Sequence, residues 1–370
     1  MYYTSRQDLD ELLRACDAND AADLHLGPGR PPIMRAQGRL QQVPGYPQDL
    51  TTADMDLILE FACRSATGPS SVQSLDDMDF AYIPSKAGTD DSQQISVYRV
   101  NAGMTIEGIR MVFRRLPSLP PTIQDIAAPA PYVNILNTQR QGLVLVTGPT
   151  GSGKSTTLAA GIRHLIEGDN SLHIITLENP VEYRYTSLNQ DAAYVTQREL
   201  NRSLKTFEVG MKSALRQDPD IILVGEMRDL ETMRMAMEAA ETGHLVFGTV
   251  HTTDVASTIS RIVQMFPKEE QTAARVQLLS SLRFIICQRL LPRQPKGRVA
   301  AREYLEFTPS LRKRLLEMDP GTLYNQLVTA TDTQGVTMMR AVKEIHTNGL
   351  ISDDELRRWE LILQEEASHG

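Results

Sequence analysis

The run TGPTGSGKSTT, residues 147–157, carries the most specific chemistry in the sequence. Gly148, Gly151 and Gly153 let successive backbone N–H groups turn toward one point. A helix starting just after them adds the positive end of its dipole, so the loop is suited to phosphate. Pro149, Thr150, Ser152 and Thr156 complete the expected cradle. Lys154 is the cation expected to reach the β- and γ-phosphates of a nucleotide such as ATP, and Ser155 the hydroxyl expected to hold Mg²⁺.

Two acids stand where a phosphate on that loop could meet them. In DPDIILVGEMRD, residues 218–229, an apolar run carries Glu226 to the C-terminal edge of a strand, where ligands bind in open α/β sheets. A carboxylate there can orient Mg²⁺ or an attacking water. In HIITLENPVEY, residues 173–183, Glu178 reaches the same edge and Pro180 stops the strand. One glutamate can polarise water as general base while the other helps to hold metal. In ETGHLVFGTVHTTD the histidines His244 and His251 are seven residues apart, at opposite ends of a strand. Odd spacing puts them on opposite strand faces, so a shared metal site is not expected. His251 ends its strand at the edge of the two glutamates, the place for a γ-phosphate sensor. Arg99, Arg110, Arg114 and Arg115, in VYRVNAGMTIEGIRMVFRRLP, are candidates for an arginine finger acting on a neighbouring subunit's nucleotide.

These residues need a sheet to position them. GLVLVTG, HIITLE, DIILVGE and LVFGTVH are short apolar runs separated by helical stretches, the pattern of buried parallel strands. They predict a βαβ core, a RecA-like P-loop fold, over residues 132–267. Ahead of it, SRQDLDELLRACDA and TTADMDLILEFACRS have helical apolar spacing, the first behind a Ser5 cap. ADLHL, QISVYRVNAG and GIRMVFRRL read as strands, giving an α+β domain over residues 1–116. Pro117, Pro120, Pro121, Pro129 and Pro131 mark a stiff connection at 117–131. From 268 to 370 the pattern is expected to be helical, ending in a helix opened by Ser352 and Glu355 at capping-box spacing.

Composition narrows the class. The chain has 370 residues, 41% hydrophobic and 23% charged, as in an ordinary globular protein with ample core. A net charge of −8 argues against nucleic-acid binding over a broad surface, and no direct nucleic-acid contact is expected. Cys16, Cys63 and Cys287 are scattered, so neither a zinc module nor a disulfide framework is expected, only buried thiols in a reducing compartment. No stretch approaches ~18 apolar residues and no signal pattern opens the chain, so a cytoplasmic location without a transmembrane segment is expected.

The motifs together resemble the hexameric secretion and pilus-motor ATPases, the family that includes PilT and the type II and type IV secretion ATPases. TGPTGSGKSTT resembles its Walker A, ILVGEMRD its Walker B, and TGHLVFGTVHTT its His box. TLENPVEY resembles its Asp box, with Asn179 in place of the usual aspartate. In RVNA…FRRLP, Arg99 and Arg114 fall at positions that match the family's arginines, whereas Glu107 stands where PilT-like sequences tend to carry another. ADLHL resembles the start of the family's PAS-like N-terminal domain. The resemblance implies a homo-hexameric ring in which ATP lies between N- and C-terminal domains and hydrolysis moves them. It also implies recruitment to proteins of an inner-membrane secretion or pilus complex at its cytoplasmic face. GRVAAREYLEF followed by LLEMDP looks most like the DotB and TraJ ATPases of type IVB secretion and conjugation. A PilT-like pilus-retraction ATPase is the alternative.

Overall fold

The computed structural model describes residues 5–63, 68–75, 77–85, 96–116, 119–168, 171–185, 188 and 193–369. Contacts divide the chain into two compact units. The N-terminal unit comprises Met1–Pro120 with two later stretches, Asn179–Ser187 and Glu199–Ser203. The second comprises Pro121–Glu178, Leu188–Arg198 and Leu204–Gly370. A division by composition alone runs straight along the chain and misses the two returning stretches. They belong to the first unit because a buried carboxylate holds them there. Glu199 accepts the N–H groups of Ala81 (3.2 Å) and Val181 (3.0 Å), and Arg202 donates to the Ala81 carbonyl at 3.0 Å. Of the five prolines in the connection, Pro117 lies outside the described residues.

In the N-terminal unit the elements run α1 (Arg6–Ala18), β1 (Ala21–Leu26), β2 (Ile33–Ala36), β3 (Arg39–Gln42), α2 (Thr52–Cys63), α3 (Gly68–Gln73), β4 (Met78–Tyr82), β5 (Val97–Thr105) and β6 (Gly108–Leu116). The sheet order is β3-β2-β1-β6-β5-β4, with antiparallel pairing throughout. Alternate residues of β5 and β6, among them Tyr98, Val100, Met111 and Phe113, are buried in one core with Leu9, Leu12 and Leu13 of α1 and Ile58 and Leu59 of α2. The alternation follows from the two-residue period of a strand with helices on one face only. Ser5 caps α1 through its own N–H, which donates to Asp8 Oδ2 at 2.8 Å. Cys16 is buried with this core, and burial pushes its thiol up to about 12. Cys63, the last residue of α2, is only half-buried, because a helix end escapes the cover its middle receives.

The second unit runs α4 (Ala130–Thr138), β7 (Gly142–Thr147), α5 (Lys154–Glu167), β8 (Leu172–Glu178), β9 (Ala193–Glu199), α6 (Phe207–Ala214), β10 (Ile221–Val224), α7 (Leu230–Glu241), β11 (Leu245–Val250), α8 (Val255–Gln264), α9 (Gln271–Ser281), β12 (Leu282–Pro292), β13 (Arg298–Glu306), α10 (Pro309–Glu317), α11 (Leu323–Gln334), α12 (Met338–Thr347) and α13 (Asp353–His369). Its sheet has the order β13-β12-β7-β11-β10-β8-β9. β8, β10, β11, β7 and β12 are parallel, and every residue of β7, β10 and β11 is buried.

The region after 268 ends in helices as expected, but two strands, β12 and β13, interrupt them. β12 pairs parallel with β7, while β13 runs antiparallel at the edge. The run FIICQRLL within β12 is continuously apolar apart from Gln288 and Arg289. A short apolar run buried on both faces carries no period that separates it from a buried helix, which is why the sequence pattern hides it.

Candidate functional site

β7 delivers the phosphate loop. Its last residue, Thr147, is fully buried, and the chain then turns through Gly148–Gly153 into α5, which begins at Lys154. Gly153 lies in the left-handed region at φ 87°, a conformation that favours glycine and re-aims the following N–H groups. Pro149, Thr150, Gly151 and Ser155 are exposed, while Ser152 and Lys154 are buried. The Lys154 ammonium folds over the loop and donates to the carbonyls of Gly148 (2.9 Å) and Pro149 (3.0 Å).

Strand register brings the acids and His251 to the same edge as the loop. Val250 lies opposite Thr147, Gly248 opposite Val224, and Val224 opposite Leu177. The loop, His251, Glu226 and Glu178 therefore follow the ends of four successive strands, β7, β11, β10 and β8. The turn holding Glu226 is pinned on both sides. Gly225 N–H donates to Leu177 O at 2.7 Å, Met227 N–H to Thr249 O at 3.0 Å, and the Thr249 hydroxyl to Gly225 O at 2.5 Å.

The structure joins Glu226 and His251 directly: His251 Nε2 lies 2.8 Å from Glu226 Oε1. A carboxylate only accepts, so Nε2 carries the proton. Arg228 also donates to Glu226 Oε1. Glu178 sits half-buried at the end of β8, where its Oε1 accepts from the Thr176 hydroxyl (2.6 Å) and from Gln197 Nε2 (3.2 Å). His244 is elsewhere, its Nδ1 3.0 Å from the Ala239 carbonyl at the end of α7.

The candidate arginines belong to the N-terminal unit. Arg99 and Arg114 face each other across β5 and β6 on the sheet's helix-free side. Arg114 Nε donates to Asp23 Oδ1 at 2.8 Å, and Arg99 lies 3.7 Å from Asp79. Arg110 shares that side and pairs with Glu107. Arg115, one residue on from Arg114, points the other way and pairs with Asp20, which raises its pKa further. Strand alternation thus puts Arg115 on the other face from Arg99, Arg110 and Arg114.

Sequence reasoning missed three residues beside the site: Gln197, Gln288 and Arg302. Gln288, on β12, is buried against the phosphate loop, and its side chain donates to the Ser152 carbonyl at 2.5 Å. Arg302, on β13, donates to Gln288 Oε1 at 2.8 Å and to Ala127 O at 3.0 Å, and burial pulls its pKa down to about 10. The signal available was a polar pair, Gln288-Arg289, inside an apolar run.

Comparison with known proteins places the chain in a family. The model for "Type II/IV secretion system protein" matches residues 99–352. The chain belongs to that family. It is 38% identical over 351 residues to the type IV pilus retraction ATPase PilT of Pseudomonas aeruginosa, covering 95% of this chain and 97% of that protein. Among solved structures, the Legionella pneumophila ATPase DotB superposes with a TM-score of 0.89 at 31% identity, covering 99% of this chain and 97% of that one. The pilus retraction motor PilT with bound ADP gives 0.80 at 34% identity, covering 94% and 95%. The chain is thus an ATPase of the secretion and pilus family, with the α/β core that its motifs predict. No helix among the described residues is long and apolar enough to cross a membrane.

Proposed function

We propose that the chain is a hexameric, ATP-hydrolysing motor of a type IV secretion or DNA-transfer machine of the IVB kind, recruited from the cytoplasm to proteins at the inner membrane. The observation that carries the catalytic part is the alignment of the phosphate loop, His251, Glu226 and Glu178 on successive strand ends. Loop N–H groups and Lys154 bind the β- and γ-phosphates, with Lys154 exchanging its two carbonyl acceptors for phosphate oxygens. Glu178, oriented by Thr176 and Gln197, accepts a proton from the attacking water. His251 redirects its Nε2–H hydrogen bond from Glu226 to the γ-phosphate, keeping the proton, and so reports whether that phosphate is present. Arg114, with Arg99, stabilises the transferred phosphoryl group of a neighbouring subunit.

The donor set fits Mg²⁺. That ion takes few protein ligands besides phosphate oxygens and water. The exposed Ser155 hydroxyl and the Glu226 carboxylate are of this kind, and no cluster of three or more His, Cys, Asp or Glu side chains suited to a metal occurs among the described residues. When bound, Mg²⁺ would neutralise charge on the β- and γ-phosphates.

The IVB reading is favoured by the likeness to DotB over nearly all of both chains and by GRVAAREYLEF and LLEMDP. Pilus retraction is the second reading, favoured by the 38% identity to PilT. Deleting the gene and assaying substrate transfer and twitching motility in the same strain separates them. Lost transfer with intact twitching is expected; the reverse outcome would replace the first reading by the second.

A further inference from the structure

The β12–β13 hairpin reaches the phosphate loop from behind. Cys287 lies opposite Thr147 in the sheet, so Gln288 stands level with the start of the loop. Its backbone carbonyl is so close that a Cβ on Gly148 would come within 2.3 Å of it, and a Cβ on Gly153 would come within 2.7 Å of its side-chain nitrogen. Gln288 is 2% exposed, and its amide is held in one orientation. Nε2 donates to the Ser152 carbonyl (2.5 Å), and Oε1 accepts from the Thr157 hydroxyl (2.8 Å) and from Arg302 Nε (2.8 Å). The opposite amide orientation would set oxygen against the Ser152 oxygen and nitrogen against the Arg302 donor, so donors and acceptors match one way only.

The consequence follows from peptide geometry. In a trans peptide unit the C=O and the N–H point in opposite directions. The Ser152 carbonyl and the Gly153 N–H belong to one such unit. By drawing that carbonyl toward β12, Gln288 turns the Gly153 N–H away from β12, to the outer side of the loop. Gly151, in the same loop, is exposed, and apart from its chain neighbours nothing lies within 4 Å of where its Cβ would be. The hydroxyl of Thr157, on the first turn of α5, is tied to the same amide, so loop and helix are set relative to one fixed group. Arg302 completes the anchor by holding Gln288 Oε1 while its own Nη1 is held by Ala127.

We infer that Gln288, locked by Arg302, is a positioning residue that presents the Gly153 N–H to the nucleotide's phosphates. This rests on the phosphate-loop reading above. Gln288→Glu is the decisive variant. It keeps the acceptor for Thr157 and Arg302 and can form a buried ion pair with Arg302, but it places a carboxylate oxygen against the Ser152 carbonyl. That oxygen should repel the carbonyl and turn the Gly153 N–H inward.

The test is equilibrium binding of a methylanthraniloyl derivative of ADP to full-length protein, with thermal melting alongside. Gln288→Glu should melt near the wild-type temperature yet bind about tenfold more weakly, which corresponds to about 1.4 kcal/mol. Displacement of the probe by inorganic pyrophosphate should weaken by the same factor, because the lost group faces phosphate and not the base. Gln288→Met, of similar volume and without the amide, should weaken probe and pyrophosphate binding alike but melt lower, because it leaves the Ser152 carbonyl, the Thr157 hydroxyl and Arg302 without their partner; measured below its melting temperature, it serves if the glutamate variant does not fold. Wild-type affinity in a folded variant would overturn the inference, as would weakened probe binding with unchanged pyrophosphate displacement. Wild type that fails to bind the probe would instead overturn the phosphate-loop reading itself.

Discussion

Lys154 donates to two loop carbonyls at ordinary hydrogen-bond distance, so phosphates draw it from partners it can give up and regain. Its loss removes the loop's cation and creates no apolar cavity. Lys154→Ala should abolish nucleotide turnover and leave the far-UV circular dichroism spectrum unchanged; turnover at the wild-type rate would refute the loop assignment. The two glutamates differ in their settings. Glu178 is held by a hydroxyl and an amide that both donate to Oε1, and glutamine at this position keeps one oxygen to accept them. Glu178→Gln should therefore keep those two contacts while removing the charge, slowing hydrolysis about 10²-fold or more with ATP binding retained. Glu226→Gln should slow it on the same scale; Arg228 and His251 both meet Oε1, an oxygen that glutamine keeps, so here too the charge is what is lost. Pre-steady-state phosphate release from each variant decides the matter: a variant at the wild-type rate marks its glutamate as structural. Most of this was legible, because the chemistry demands particular residue types beside a recognisable loop. What was not legible is the pairing of Glu226 with His251, which depends on two strand ends separated by a helix in sequence and adjacent only in the sheet.

The elements show where reading by pattern succeeds and where it stops. The four runs ending at the site are bounded by turn residues and flanked by helices, so their period and punctuation agree. β12 fails that test, since its apolar residues form no stripe that separates a strand from a buried helix. Its neighbour β13 carries a buried acid, Glu303, that nothing in the local sequence marks. Glu303 accepts the N–H of Val255 at the start of α8 (2.7 Å) and of Met338 at the start of α12 (3.1 Å). One carboxylate thus satisfies orphan donors of two helix termini. Glutamine offers a single acceptor oxygen in its place, leaving a buried N–H unpaired. Glu303→Gln should destabilise the second unit by about 1–3 kcal/mol in urea unfolding. Burial is the largest influence on the carboxyl and raises its pKa above the ordinary glutamate value, against the two N–H donors, which lower it. A raised folded-state pKa contributes stability that is present below the unfolded value and lost as pH rises through the folded one. The gap between wild type and Glu303→Gln should therefore widen as pH falls toward 4.5, the ordinary glutamate value. A gap that narrows would show that the N–H donors outweigh burial.

At the scale of the whole molecule the question is how charge on the transferred phosphoryl group is met. In the second unit, Lys154 belongs to the loop and Arg228 is already paired with Glu226. The N-terminal unit offers Arg99 and Arg114, side by side on one sheet face. An arginine contributed to a neighbour's nucleotide requires assembly, so total activity should rise more than proportionally with protein concentration, and specific activity should rise with it. Arg114→Ala should lose turnover and still bind ATP, because a finger acts mainly on the transition state. The Arg114 side chain is 67% exposed, so its bond to Asp23 contributes little to folding and can be exchanged for a phosphoryl oxygen. Asp23→Asn, which removes that competing charge, should therefore retain turnover. In the ring proposed above, doping Arg114→Ala subunits into wild type should depress activity more steeply than dilution alone, since one altered subunit would disable its neighbour's site and stall closure of the other interfaces. Specific activity independent of concentration, from a stable monomer and with a strictly linear doping curve, would mean that each chain completes its own site and that Arg114 is a surface residue.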